Sequence, residues 1–190
     1  AVPMGDSGSF DCGMMLSSCP VIKLDDRIRL YYYGADHRHD YVGIDGSSSV
    51  GLAEIRRCGF VSMRADEEGI LLTPRFLFRG EQIRLNAQVD PGGYLFAELL
   101  DDRGEIVHGF DYAHCEAFTG DDVDHILTWG GRSDIRFLFG QNLMLRLKLK
   151  QADVFAFRSA GPRDRFNVSL GPHPVRCGRC LHAPIIDGIL

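Results

Sequence analysis

Apolar and polar residues alternate with a period of two in two stretches of the chain. Every second residue of segment 82–89 is apolar, and segment 143–150 places leucines between methionine, arginine and lysine residues. This period is typical of a β-strand with one buried side and one side facing solvent. We therefore expect two half-exposed strands. The residues expected on the buried side of the second strand are Leu143, Leu145, Leu147 and Leu149.

The four residues after the first strand have the composition of a turn. Asp90-Pro91-Gly92-Gly93 combines a proline, which fixes φ, with two glycines that accept positive φ. Segment 94–100 is apolar at both alternating sets of positions, as in a strand at the centre of a sheet. The sequence predicts a β-hairpin in which strands 82–89 and 94–100 are joined by this turn. The remaining apolar segments are short, so an all-β fold of about nine or ten antiparallel strands is expected.

Composition excludes several classes of protein. The chain has 190 residues, 45% of them hydrophobic, which is enough for a substantial core. Its net charge is −5 and its basic residues are dispersed, so no nucleic-acid partner is expected. No apolar run approaches the roughly 20 residues of a membrane helix, so no membrane span is expected either.

The cysteines and one short motif favour an extracellular, secreted glycoprotein. Six cysteines are compatible with three disulfide bonds. Cys12 and Cys19 flank a short hairpin-like segment and are candidates for one bridge, whereas Cys58 and Cys115 are expected to be buried and reduced. Asn167 begins an Asn-Val-Ser triplet, the acceptor motif for N-glycosylation.

The C-terminal cysteines leave three alternatives open. Cys177 and Cys180 form a CxxC motif with His173 and His182 nearby, and these are residue types that bind zinc. A single CxxC is a weak signal for a metal, so disulfide bonds are favoured over free thiols and over a structural zinc site.

A structural calcium site is the other metal alternative. Asp121, Asp122 and Asp124 offer the oxygen ligands that calcium prefers, but their spacing does not match an EF-hand loop. An acidic surface turn is therefore the favoured interpretation. No other cofactor is expected.

Several phrases of the sequence, taken in order, resemble one family. They are Gly8-Ser9-Phe10-Asp11-Cys12-Gly13-Met14, Leu30-Tyr31-Tyr32-Tyr33-Gly34 with His39, Gly51-Leu52-Ala53, Gly59-Phe60-Val61-Ser62, Gly109-Phe110, Cys115, Gly120-Asp121, His125, Trp129, Gly140 and Leu145-Arg146-Leu147. Together they are similar to the last blade and C-terminal β-sandwich of the five-bladed-propeller glycoside hydrolases, the invertase-like and arabinanase-like enzymes. Cys58 departs from the pattern, which has an acidic residue there.

The resemblance implies an architecture and a position in a longer protein. It implies an antiparallel, jelly-roll-like β-sandwich at 51–158, preceded at 1–50 by a hairpin that resembles a propeller blade, with its linker. Segment 159–190 then forms an irregular tail containing proline and cysteine. Because the family carries its two catalytic carboxylates on earlier blades, they would lie before Ala1. This chain alone is then expected not to hydrolyse glycosides.

Four residues are the candidates for a sugar-binding surface: Asp11, Tyr33, His37 and His39. Aromatic rings stack on sugars, and carboxylates and imidazoles bind hydroxyl groups. The alternative is that Asp11 caps a turn, Tyr33 belongs to the core and the histidines are ordinary loop residues.

Three functions follow from these observations. The first is a non-catalytic carbohydrate-binding or accessory module, the C-terminal part of a glycoside-hydrolase-like protein. The second is a structural or assembly subunit that binds a protein partner through its edge strands. The third is a glycosidase whose catalytic carboxylates lie on upstream blades.

Overall fold

The computed structural model describes residues 3–17, 21–43 and 45–161. These residues form antiparallel β-sheets, which confirms the expected all-β class. Within these ranges the only helical element is a short 3-10 turn at Arg136–Leu138. The chain divides into two compact units, Ala1–Phe60 and Val61–Leu190.

The first unit contains one antiparallel sheet built around its third strand. Its strands are β1 (Met14–Ser17), β2 (Ile22–Lys23), β3 (Arg27–Ala35) and β4 (Ser48–Arg56). β4 pairs with β3 along its whole length, while β1 and β2 pair with successive halves of the other edge of β3. β4 runs without a break through residues 50 and 51, where the sequence analysis places a domain boundary.

The two faces of this sheet have different surroundings because side chains alternate along β3. On one face the ring of Phe10 stacks on the ring of Tyr32, with centroids 6.2 Å apart. Tyr31 and Tyr33 lie on the opposite face and are exposed. The segment before β1 therefore covers part of one face only.

The second unit is a larger sheet with two very long strands at its centre. Its strands are β5 (Met63–Ala65), β6 (Gly69–Leu72), β7 (Phe76–Leu77), β8 (Gln82–Leu100), β9 (Gly120–Ile126) and β10 (Asn142–Ala160). β10 pairs with β8 along one edge and with β5, β6 and β7 along the other, and β9 pairs with β8. The sheet curls into a half-barrel.

One side of β8 and β10 forms the core of this unit. The four leucines at 143, 145, 147 and 149 are all buried, which confirms the alternation predicted from the sequence. Trp129 also lies in the core, where its indole Nε1–H donates to the carbonyl of Ala97 at 2.8 Å. Full burial of a side chain such as leucine contributes about 1.5–3 kcal/mol, so this side of the sheet supplies much of the stability of the unit.

The hairpin predicted at residues 82–100 is wrong. The whole segment is one strand, β8, and both of its halves pair with β10. Lys150 lies opposite Tyr94 and Ala152 lies opposite Val89, so segment 90–93 faces Gln151 alone. The residues that look like a turn therefore form a bulge at which the two strands bend together.

The chemistry of a bulge explains why the pattern was misleading. A bulge leaves residues unpaired, so it tolerates Pro91, which has no backbone N–H to donate. Gly92 has φ of +87°, a conformation that suits glycine. A side chain at Gly93 would approach the backbone carbonyls of Lys150 and Gln151. The same residue types are thus compatible with a tight turn and with a bulge in a long strand. Only the pairing with β10 distinguishes the two structures.

Gln151 offers a test of this bulge. It has φ of +46°, a left-handed conformation that costs a residue with a Cβ about 1 kcal/mol or more. We expect Gln151→Gly to raise the free energy of unfolding by about 1 kcal/mol, measured by urea denaturation. Gln88→Gly is the matched control, because Gln88 pairs with Asp153 in regular β-structure and its replacement is expected to destabilise. Equal losses in both variants would contradict the assignment of the bulge.

Candidate functional site

The loop between β3 and β4 carries a group of polar and aromatic side chains that contact one another. We call the described residues of this connection, 36–43 and 45–47, the β3–β4 loop. At its start, Asp36 Oδ1 accepts the backbone N–H of Ser47 at 2.9 Å and lies 2.8 Å from Nδ1 of His37. Both contacts favour the ionised carboxylate, and the pKa of Asp36 is lowered, chiefly by the bond to His37. Asp36 thus joins the two ends of the loop.

Two aromatic rings lie against each other in the middle of the loop. The rings of His37 and Tyr41 have centroids 4.7 Å apart, and the Tyr41 hydroxyl donates to Oδ1 of Asp45. This hydrogen bond raises the pKa of Tyr41 and lowers the pKa of Asp45. His37 is half-buried whereas Tyr41 is exposed. The loop therefore presents an aromatic surface beside two ionised carboxylates.

The close fit of the loop depends on a glycine. A Cβ on Gly46 would lie 2.5 Å from His37 Nδ1 and 3.1 Å from Cε1 of Tyr41. Any side chain at this position would separate the two rings, so Gly46 allows the backbone to pass directly behind them.

Asp11 lies in a different environment from the other candidate residues. It is buried, and its two oxygens accept hydrogen bonds from the hydroxyls of Tyr32 and Ser9, both at 2.7 Å. These bonds, with that from Tyr32 the larger cause, lower the pKa of Asp11. A Cβ at Gly34 would lie 2.6 Å from that of Asp11. Asp11 is therefore engaged in fixing the segment before β1 against β3.

The structure separates the four predicted residues into three places. Asp11 contacts the side of β3 that carries Tyr32, whereas Tyr33 lies on the opposite face. His37 and His39 both lie in the β3–β4 loop, where the ring of His37 contacts that of Tyr41 and His39 is exposed. Tyr41 is the residue that the sequence analysis missed. Its only signal was an aromatic residue between two aspartates in a glycine-containing loop.

The three aspartates proposed for calcium do not lie in a surface turn. They lie on β9, where Asp122 Oδ1 accepts the backbone N–H of Asp124 at 2.8 Å. The Asp124 carboxylate pairs with Nη1 of Arg84 at 2.6 Å and with Nη2 of Arg158 at 2.7 Å. Two guanidinium groups already balance its charge. Across the described ranges, no group of three or more His, Cys, Asp or Glu side chains is arranged to hold a metal ion.

Of the three cysteines that the structure describes, Cys12 is expected in a disulfide bond with Cys19, whereas Cys58 and Cys115 are expected to be reduced. None of them lies at disulfide distance from another. Cys12 has a free thiol whose Sγ lies 3.9 Å from the carbonyl oxygen of Asp36. Several predicted residues lie outside the described part of the chain, so the corresponding bridges, zinc site and glycosylation stay predictions: Cys19, Asn167, His173, Cys177, Cys180 and His182.

Cys115 is buried, as expected, and has a free thiol. Its Sγ accepts the backbone N–H of Ala97 at 3.1 Å. Burial raises the pKa of the Cys115 thiol from 9.0 to about 11. A thiol in this setting is a weak nucleophile at neutral pH, since the reactive thiolate is scarce.

The raised pKa of Cys115 predicts a loss of stability in alkali. Between about pH 9 and pH 11 the unfolded chain releases the thiol proton while the folded chain keeps it, so the free energy of unfolding falls as pH rises. A shift of this size corresponds to roughly 2–3 kcal/mol. We expect wild type to lose that much more stability than Cys115→Ser over this range, because serine does not titrate there. Urea denaturation at several pH values checks this, and parallel pH profiles would contradict it.

Comparison of the chain with protein-family models, with curated proteins and with solved structures found no match. The family resemblance therefore remains a hypothesis. In the part of the chain that the structure describes, no helix has the length and hydrophobicity needed to cross a bilayer.

Proposed function

We propose that this chain is a non-catalytic carbohydrate-binding module of a glycoside-hydrolase-like protein. The observation that carries the proposal is the pair of rings of His37 and Tyr41, tilted against each other and flanked by the carboxylates of Asp36 and Asp45. In this proposal the first unit corresponds to a blade-like sheet and the second to a jelly-roll-like sandwich.

The chemistry of the β3–β4 loop suits a sugar. A pyranose ring has an apolar face that packs on an aromatic side chain, and its rim of hydroxyls donates hydrogen bonds. Tyr41 offers a partly exposed aromatic ring, and charged carboxylates form the stronger class of hydrogen bond with hydroxyl donors. His39 lies exposed in the same loop and adds an imidazole. The loop thus combines stacking with acceptors for hydroxyls.

The same carboxylates suit binding better than proton transfer. A glycosidase needs one carboxyl group with a raised pKa to act as general acid, and a second on the other side of the bond. Asp36 and Asp45 both have lowered pKa values, because His37 and Tyr41 respectively stabilise their ionised forms. Two ionised carboxylates on one loop can accept hydroxyl hydrogens without turnover.

The experiment measures glycan binding and then removes the aromatic ring. We expect the purified chain to bind oligosaccharides on a glycan array. Isothermal titration with the best ligand is expected to show an affinity loss of about tenfold or more in Tyr41→Ala, since one aromatic contact contributes about 1.4 kcal/mol. Tyr41→Phe keeps the ring and loses only the bond to Asp45, so a smaller loss is expected.

Tyr94 provides a matched control for the phenol. Its hydroxyl also donates to a carboxylate, that of Glu68, and its ring packs beside Phe96 in the second unit. Tyr94→Phe should therefore leave glycan affinity unchanged. Absence of binding to the array, or unaltered affinity in Tyr41→Ala, would overturn the proposal.

A further inference from the structure

The exposed face of the first-unit sheet carries a continuous group of large apolar side chains. Pairing places Leu16 and Val50 on either side of Tyr33, and Leu52 beside Tyr31. Opposite residues in antiparallel strands project from the same side of the sheet. Val50 is 68% exposed and Leu16 is 50% exposed. We call this group the apolar face; its members are Leu16, Ile22, Tyr31, Tyr33, Val50 and Leu52.

The apolar face is large for an uncovered surface. Its side chains expose on the order of 500 Å², near the upper end of the largest patch on a typical monomer, and such patches are often interaction sites. A stable interface buries about 800 Å² on each partner, of which the central part is the most apolar. The apolar face supplies more than half of that area, as the apolar centre of such an interface would.

The composition of the apolar face favours a protein over a sugar. Four of its six members are aliphatic, and they offer neither a ring for stacking nor a hydrogen-bonding group. An aliphatic surface on a sheet is complementary to another apolar sheet surface, which packs about 10 Å away with interdigitated side chains. The occupant is therefore expected to be a β-sheet with an apolar face of its own.

One end of the apolar face carries charged side chains of both signs. Arg29 contacts Glu54 at 2.5 Å, and Arg27 contacts Glu54 and Asp26, both at 2.8 Å. Arg56 lies opposite Arg27 at the same end. Since arginines and carboxylates lie side by side here, an arginine of one copy can face a carboxylate of the other.

We propose that a second copy of this chain docks on the apolar face, so that the two first-unit sheets pack face to face. We place the two-fold axis between the two sheets and parallel to their strands, so that the same end of each sheet lies at the same end of the dimer. The tyrosines and leucines of one copy then face those of the other, and the charged ends of the two sheets lie next to each other. Such an interface is isologous and closes at two copies.

Sedimentation velocity and light scattering across a range of protein concentrations test the proposal. We expect a mass of two chains that falls to one chain on dilution. Val50→Lys combined with Leu52→Lys should produce a monomer, because desolvating these charges opposes the association. Leu72→Lys is the control: this leucine is also exposed on a strand, but it lies in the second unit, so its variant should remain dimeric.

A milder variant separates loss of association from loss of folding. Val50→Thr with Leu52→Thr retains strand propensity and carries no charge, and it should weaken the dimer at least tenfold while keeping the wild-type circular dichroism spectrum. A wild-type chain that is monomeric at all concentrations would overturn the proposal. The proposal would also be overturned by a dimer that persists in both double variants of Val50 and Leu52, or by one that only Leu72→Lys disrupts. Glycan binding is measured separately, so failure of one proposal does not imply failure of the other.

Discussion

Replacing Leu145 with aspartate is expected to unfold the second unit. Leu145 is fully buried, and Thr73 holds its backbone in place: the N–H of Leu145 donates to Thr73 Oγ1 at 2.9 Å and its carbonyl accepts the N–H of Thr73 at 3.0 Å. The strand cannot rotate the new carboxylate into water without breaking these bonds. A buried, unpaired charge costs several kcal/mol, a large part of the about 5–15 kcal/mol that stabilises a typical domain. We expect loss of the near-ultraviolet circular dichroism of Trp129 at room temperature.

Leu72→Asp is the matched control for this substitution. Leu72 lies on β6, opposite Arg146 of β10, and is about half exposed. The same chemical change at this position leaves the carboxylate in water and near a guanidinium group. Its effect should stay within about 1 kcal/mol. Equal destabilisation by the two substitutions would show that the inward and outward sides of the sheet are assigned wrongly.

The faces of these strands could be predicted from the sequence because burial follows a local rule. Alternation identifies the inward leucines of β10 without reference to any partner. The segment 82–89 behaves in the same way, with Ile83, Leu85, Ala87 and Val89 buried. Whether a segment forms a strand, and which of its side chains are buried, depend on each residue and its near neighbours. Both can therefore be predicted from the sequence.

The course of the chain through residues 90–93 could not be predicted in this way. A proline and two glycines satisfy the requirements of a tight turn and of a bulge equally well. The deciding contact is with Gln151, which is distant in the sequence and carries no turn signal itself. Long-range pairing between β8 and β10 determines that these residues form a bulge, and local propensity does not predict it.

The candidate site shows the same division between local and distant information. Residue types pointed to His37 and His39, and both lie in one loop. The sequence did not show that Asp11 is held by Tyr32, because that bond joins a segment before β1 to the middle of β3. Nor did it show that the ring of Tyr41 packs against that of His37, since that contact depends on the fold of the loop around Gly46.

Removing the positive partner of Glu98 is expected to be the second most damaging change. Glu98 is 4% exposed, and Oε2 accepts from Nε of Arg146 at 2.7 Å and also from Nη2. Its Oε1 accepts the backbone N–H of Tyr112 at 3.2 Å. Arg146→Met leaves the carboxylate buried with that single bond. Breaking a buried ion pair in this way costs about 3–5 kcal/mol, and we expect the lower end because Arg146 is partly exposed to solvent.

A double substitution tests whether the cost comes from the unpaired charge. Glu98→Gln in the Arg146→Met background replaces the carboxylate with a neutral amide that can still accept from Tyr112. Because the buried amide is neutral, no unpaired charge is left in the interior, and the double variant should be more stable than Arg146→Met alone. Lys148→Met is the control on the same strand: its partner Glu68 is exposed, so a loss of at most about 1 kcal/mol is expected. If Glu98→Gln brings no recovery, the stabilisation by Arg146 comes from the packing of its side chain, including its position 5.9 Å from the centre of the Tyr112 ring, and not from the ion pair.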